Sequence, residues 1–561
     1  MPTSDMAVEI AAPNPLPSAL RILAEVLPNG TKRSMVQRSE WMLSWGESAS
    51  ILPPPSELGA EAFAFEITPT GIAACAASEE GLFRCCTWLH REVRRGPLPC
   101  GCGVEAPDKA VRGLMLDVSR NRIYSVKTLC EVIDWMARLG LNHLELYFEN
   151  VFAYRDHAKV WASTSPYTPE EIAAVEAYAA AHYVQFVPNQ NTLGHFERWL
   201  KHPDYLRYAE LPQGGARTPW GSIQTHPTGL FAADRATRDF VKHLLTELLP
   251  CFPRATRVNL GGDEVFDLGQ GRSQTSDKAK LYLEYMREMA DVAQQFGKRP
   301  MLWADMLLRH SEMIPLAKAV LPEAIWIVWG YEASDPIAAN VARLQAEGLR
   351  VMVAPGTSSW RSFCGRTDNM IANVTEATST TAEGVLLTDW GDAGHWQPLV
   401  VTLPAMVLTA ATAWRSGAHP EVASWVDDLT QQRGLGDFLL RLGNTYQTAN
   451  AAAGNATKLF QAYNLPLAEA PVLAHDDLVR TLSILMALAE EATAFGHSLV
   501  AEEARYALNL QLLAVRRALK QPNLRRERAR VAAQMEQLWL ARGPRAQLDE
   551  SLSAFLAQEL P

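Results

Sequence analysis

Residues 111–148 read VRGLMLDVSRNRIYSVKTLCEVIDWMARLGLNHLELYF. VRGLMLDV (111–118) and LNHLELYF (141–148) are near-continuous apolar runs of strand length. Between them Leu129, Val132, Ile133 and Met136 recur at helical spacing, with Ser125 placed to cap the start and Gly140 the end. Continuous rather than alternating apolar runs mark strands covered on both faces, as in a parallel sheet. The unit repeats. Further strands are predicted at 184–189, 256–262, 299–305, 324–330, 349–355 and 384–390, with helical stretches between them. One helix is announced by Thr168-Pro169-Glu170-Glu171, a capping box with proline in its first turn. Eight strand–helix units point to an α/β fold, a (β/α)8 TIM barrel. A doubly wound open sheet is the competitor. No G-x-G-x-x-G follows an early strand, which weighs against its dinucleotide-binding version.

The chain has 561 residues, too many for one ordinary core. Outward from the barrel, AFAFEITPTGIAACA (62–76) reads as two strands and a turn, and SEEGLFRCCTWLHREV (78–93) as an amphipathic helix. The Pro- and Gly-rich segment 96–110 reads as a linker. Beyond about residue 416 the pattern is helical and shows no chemistry. It is expected to pack on the barrel or to form a contact between two copies, so a homodimer is one expectation. The expected division is an N-terminal α+β domain (1–107), the barrel (108–415) and a C-terminal helical region (416–561).

With 52 basic and 62 acidic residues the net charge is −10, which argues against broad binding to nucleic acid or anionic membranes. The apolar stretch near 397–414 is interrupted by Pro398 and Pro404 and reads as a buried helix, not a membrane span. No basic-then-apolar leader opens the chain, so a cytoplasmic location is expected. The eight cysteines form no framework, and Cys100 and Cys102 lack a second ligand pair. The 13 histidines are scattered. Neither metal nor cofactor is implied.

A barrel of this kind carries its chemistry where the strands end. Those ends hold Asp117, Arg120, Glu149, Asn150, Asn189, Asn191, His195, Asp263, Glu264, Trp303, Asp305, Trp329, Glu332, Trp360, Asp389, Trp390 and Asp392. Indole faces stack on the apolar faces of sugar rings, and the polar groups can bind hydroxyls. One tryptophan at a strand end is as often a core plug, and a lone histidine is more often structural. Their joint placement suggests carbohydrate recognition. Asp263 and Glu264, in VNLGGDEVFDLG (258–269), stand just past the fourth strand.

These residues resemble glycoside hydrolase family 20, the β-N-acetylhexosaminidases. The likeness covers about residues 60–415 and rests on RGLMLDVSR (112–120), PNQNTLGHFERW (188–199), LGGDEVFDLG (260–269), MLWADM (301–306) and WGYE (329–332). The N-terminal unit resembles the small domain that precedes the barrel in that family. The resemblance implies an exo-acting retaining enzyme on oligosaccharides or glycoconjugates ending in β-linked GlcNAc or GalNAc. The substrate's 2-acetamido oxygen attacks the anomeric carbon and forms an oxazolinium ion, without an enzyme nucleophile. By the same match, Glu264 is the general acid and then the base, and Asp263 holds the acetamido N–H. Arg112 resembles the hydroxyl-binding arginine and His195 the histidine after the third strand. Trp303, Trp329 and Trp390 are candidates for the pocket walls, and Trp360 for a further sugar contact.

The sequence also departs from the family. Asn259 stands where a histidine is common, and LELYFENVFAY (144–154) replaces the usual acidic motif after the second strand. The tyrosine and aspartate that usually grip the acetamido group and a hydroxyl are not recognisable; APGTSSW (354–360) stands near that place. Glu149, Asn150, Tyr154, Asp389 and Asp392 are the substitutes considered. Two other functions stay open: a retaining β-glycosidase for another sugar, with Glu149 or Glu332 as nucleophile, and a catalytically silent glycan-binding protein.

Overall fold

The computed structural model describes residues 56–69, 71–448 and 452–561, with the backbone of three earlier strands, Val8–Ala11, Arg33–Ser34 and Trp41–Gly46. Eight parallel strands close into a barrel. They are Val111–Asp117 (β1), His143–Phe148 (β2), Gln185–Gln190 (β3), Arg257–Asn259 (β4), Arg299–Trp303 (β5), Ile325–Trp329 (β6), Arg350–Ala354 (β7) and Gly384–Asp389 (β8). β8 pairs back onto β1, from Gly384 opposite Val111 to Asp389 opposite Leu116, which excludes the open sheet. The helix after β1 spans Val126–Leu139, with the Ser125 hydroxyl accepting from the Thr128 N–H and Gly140 left-handed at its end. The Thr168–Glu171 capping box is also present.

Side chains alternate along each strand. Leu114 and Leu116 of β1 join the outer core with Leu129, Val132, Ile133 and Met136 of the following helix. Met115 lies inside the barrel with Tyr147, Met301, Trp303, Ile325, Ile327 and Met352. This alternation corrects one expected site residue. Arg112 shares the outward phase of Leu114 and sits at the start of β1, at the mouth away from the strand ends. Its guanidinium donates to the Gly140 carbonyl (2.8 Å) and the Lys109 carbonyl (2.7 Å) and pairs with Glu61 of the N-terminal unit. It is fully buried. Arg112→Ala strips a buried charge network of one partner, and should destabilise the fold by roughly 3 kcal/mol. Denaturant unfolding checks this; the folded variant should keep wild-type KM.

The N-terminal unit is a six-stranded sheet. Phe63–Ile67 and Gly71–Ala76 form the expected hairpin, and the helix Glu79–Arg95 begins at Ser78. The segment read as a linker is in part a strand: Gly101–Glu105 pairs antiparallel with Phe63–Ile67 at the sheet edge. The Phe65 ring lies across Gly103, where a Cβ would come within 2.8 Å of it. An edge strand of glycines is covered by a neighbour's aromatic ring, a compensation invisible in the local composition.

The C-terminal helices pack on the barrel. Arg542, at the end of the helix Leu524–Arg542, pairs with Glu503 (2.8 Å) and with Glu131 of the first barrel helix (2.7 Å). Its carbonyl accepts from the Ser125 N–H (2.8 Å) and the Thr128 hydroxyl (2.7 Å).

Candidate active site

β4 is shorter than predicted, ending at Asn259, because the two glycines after it turn the chain. Gly261 (φ +70°) and Gly262 (φ +83°) occupy left-handed backbone that side chains rarely adopt. A Cβ on the first would meet Asn191 at 2.6 Å, and on the second the Met286 methyl at 2.6 Å. The Tyr282 hydroxyl donates to the Gly262 carbonyl (2.8 Å) and fixes the turn. Glu264 (φ +49°) and His195 (φ +55°) are themselves left-handed without being glycine. Such strain persists where surrounding contacts over-determine it, and it gathers at functional sites.

The turn delivers Asp263 and Glu264 to the barrel mouth, where they meet one histidine. His195 Nε2 lies 3.3 Å from Asp263 Oδ2 and 3.6 Å from Glu264 Oε2. Asp263 Oδ1 accepts from the Asn191 amide (2.8 Å). Burial alone would push the Asp263 carboxyl up. The His195 charge and the hydrogen bonds from His195 and Asn191 outweigh it and hold Asp263 below the usual range. His195 is raised well above its usual range: burial opposes its charge, but Asp263 and Glu197 favour it more. Glu264 goes the other way. Burial raises its pKa, Asp263 raises it further, and His195 offsets only part. Two adjacent carboxyls are thus pushed apart in pKa, the pattern that assigns one as acid and the other as anion. Behind them, Asp305 accepts the Glu264 backbone N–H (3.1 Å), and burial with the Asp263 charge lifts Asp305 to about 7.

The two carboxyls and His195 face a cup at the barrel mouth that is open to solvent. Its walls are Trp303, Trp329, Tyr331 and Trp390, and its rim carries Arg120, Asp392 and Asn455. Tyr331 stacks on Trp329 (5.2 Å, 15°), and its hydroxyl accepts from the Trp390 indole N–H (2.8 Å). Arg120 bonds Asp117 (3.0 Å) and lies 3.4 Å from both Glu149 and Asp392. It is stacked against the rings of Tyr147 and Trp390.

Of the residues expected from sequence, the structure brings Asp263, Glu264, His195, Trp303, Trp329 and Trp390 together at the cup. It places others elsewhere. The arginine at the cup is Arg120, at the other end of the motif that suggested Arg112. Glu149 stands behind the wall on Arg120; burial lifts its carboxyl to about 7, with Arg120 pulling down and Glu197 pushing up. Asn189 lies one layer down inside the barrel. Its amide and that of Asn259 donate to Glu145 (2.8 and 3.1 Å), whose other oxygen meets His143 (2.7 Å). Trp360 is fully buried, edge-on to Tyr331 at 5.1 Å, and props the wall from behind. Asp389 is buried and accepts from the hydroxyls of Thr357 (2.7 Å), Ser359 and Thr402 (2.9 Å). Asn150 donates to the Val160 carbonyl and Tyr154 to Gln190, both outside the cup.

Two cup residues were not singled out. Tyr331 lies within WGYE and could have been read from its place between two other strand-end residues. Asn455 gives no local signal. Among the described residues no group of His, Cys, Asp and Glu is arranged to hold a metal ion, and no helix is long and apolar enough to cross a membrane.

Two adjacent carboxyls shifted in opposite directions, in an indole-walled cup at a barrel mouth, fit a barrel hydrolase that acts on sugars. Residues 110–402 match the catalytic domain of glycosyl hydrolase family 20, and the chain belongs to that family. It is 25% identical to Hexosaminidase D of Homo sapiens over 334 residues, 54% of this chain and 66% of that protein. It is 23% identical to Hexosaminidase D of Bos taurus over 321 residues, 53% of this chain and 88% of that protein. Two solved structures share the fold at 15% identity and a TM-score of 0.57. A family 20 exo-β-N-acetylglucosaminidase from Vibrio harveyi, in complex with N-acetylglucosamine, aligns over 77% of this chain and 76% of its own. A chitobiase from Flavobacterium johnsoniae aligns over 99% and 96%.

Proposed function

We propose that the protein is an exo-acting, retaining β-N-acetylhexosaminidase that removes terminal β-linked GlcNAc or GalNAc by substrate-assisted catalysis. The placement of Asp263 and Glu264 side by side at the cup against His195, with their carboxyls shifted in opposite directions, carries this reading. Glu264 protonates the leaving oxygen and later takes the proton of the attacking water. Asp263 accepts the acetamido N–H and faces the positive charge that develops as the oxazolinium ion forms. The Tyr331 hydroxyl, which accepts from Trp390, can donate to the acetamido oxygen. It is the proposed counterpart of the tyrosine not recognised in the sequence. Arg120 and Asp392 take hydroxyls at the rim.

A mechanism through an enzyme nucleophile would need Glu149 or Glu332. Glu149 is engaged by Arg120 outside the cup. Both oxygens of Glu332 are occupied, one by Arg366 (2.8 Å) and one by the Asn455 N–H (2.6 Å). These engagements favour the acetamido route. The test is hydrolysis of the p-nitrophenyl β-glycosides of GlcNAc and GalNAc, with the anomer first released read by NMR. Release of the β-anomer, blocked by a thiazoline inhibitor, is expected. Turnover insensitive to the thiazoline would point to another sugar or route, and binding without turnover to a silent glycan-binding protein.

The histidine supplies a pH prediction. Asp263 must be ionised, so kcat/KM rises with pH through its pKa. Glu264 must be protonated, so kcat/KM falls as pH rises through its own. His195 lowers both values. His195→Gln should therefore move both limbs of the kcat/KM profile to higher pH. Limbs that stay in place would mean that His195 does not set the ionisation of the pair.

A further inference from the structure

The family match ends at residue 402, but the cup does not. Asn455 lines it from the tight turn between the two-residue strands Ala452–Ala453 and Ala456–Thr457. This turn is clamped to the loops that follow β6 and β7. The Asn455 N–H donates to Glu332 Oε1 (2.6 Å), Glu332 Oε2 accepts from Arg366 (2.8 Å), and the Thr457 N–H donates to the Arg361 carbonyl (2.9 Å). Ala456 is fully buried beneath it. Asn455 itself is left-handed (φ +54°), a conformation that asparagine tolerates better than most residues. Its side-chain oxygen is shielded from water and has no hydrogen-bond partner. Asn455 as a whole is only half-buried, and a ligand in the cup would lie against it.

We propose that Asn455 is a substrate-contacting, specificity-determining residue whose amide binds a hydroxyl of the terminal sugar, so that the C-terminal region supplies part of the site. This rests on the reading of the cup as an N-acetylhexosamine site. A side-chain amide carries a donor and an acceptor, matching a hydroxyl, which is also both. Asp263, Glu264 and His195 occupy the reacting end. Asn455 stands on the Trp329–Tyr331–Glu332 side, where it reads the ring and not the bond that breaks.

The test compares the full-length wild type with Asn455→Gly and Asn455→Asp on the two p-nitrophenyl glycosides, alongside calorimetric titration with free GlcNAc and GalNAc. Glycine keeps the left-handed turn and the backbone bond to Glu332 and removes only the amide. Asn455→Gly should lower kcat/KM by about tenfold, chiefly through KM, as for the loss of one hydrogen bond. It should also change the GlcNAc-to-GalNAc ratio and leave the pH limbs in place. Asn455→Asp, which keeps an acceptor, should recover part of the affinity. An unchanged KM and an unchanged epimer ratio in Asn455→Gly would overturn the proposal. If the wild type bound the sugars without cleaving them, the proposed activity would fail separately, and equal sugar affinity in wild type and Asn455→Gly would still overturn the role of Asn455. If the wild type bound neither sugar, both would fall.

Discussion

Glu264→Gln is expected to lower kcat/KM by about 10²–10⁴, the range for removing a general acid–base. Glutamine has the same shape, and the Glu264 backbone N–H can still donate to Asp305. The fold should therefore survive, and circular dichroism with a thermal midpoint near wild type would confirm it. Two features separate loss of an acid from general damage. The loss should be steeper on an unactivated disaccharide than on a p-nitrophenyl glycoside, whose leaving group needs little protonation. The alkaline limb of the kcat/KM profile should also vanish, because the group whose deprotonation sets it is gone. A variant with wild-type rates on the disaccharide would remove Glu264 from the mechanism.

Asp263→Asn should cost about 10²–10³ in kcat, as for loss of a group that stabilises transition-state charge. The carboxylate now accepts from Asn191 and faces the charge on His195. An amide in its place is neutral and carries its own donors. His195 loses the group that raises its pKa most, and burial then favours the neutral ring. The expected signature is the mirror of the first: the acid limb of the pH profile disappears and thiazoline affinity falls with kcat. Full turnover by Asp263→Asn would sink the substrate-assisted reading, because the acetamido group would then need no anion to orient it. The two variants together separate proton transfer from charge stabilisation.

The barrel was legible because its strands are apolar on both faces and its helices carry their own caps, as at Ser125 and Thr168. Which strand-end residue enters the cup was less legible. Adjacent residues on a strand point to opposite sides, so Asp389 turns to the hydroxyls of Thr357, Ser359 and Thr402 while Trp390 enters the cup. A one-residue error in judging the facing reverses the assignment. Height along the strand matters as well: Asn189 bonds to Glu145 one layer below the mouth, and Arg112 stands at the opposite end of β1 from Arg120. The GGDE turn is different, because its glycines, their neighbours and its acids belong to one short stretch. Asn455 was hidden for the opposite reason. It reaches the cup only through long-range contacts to Glu332 and, by way of Thr457, to Arg361.

The first barrel helix gains two of its N-terminal hydrogen bonds from the Arg542 carbonyl, and the Thr128 bond spans 414 positions. Synthesis runs from the other end, so all eight barrel strands emerge from the ribosome before that carbonyl exists. Until then the helix start and Glu131 face water or a chaperone, and the barrel waits for its last helices to close over it. Contacts of such sequence separation slow folding and lengthen the time during which apolar surface is exposed to aggregation. A premature stop even shortly before Arg542 thus leaves a chain with both carboxylates of the cup made and the first barrel helix still unsealed.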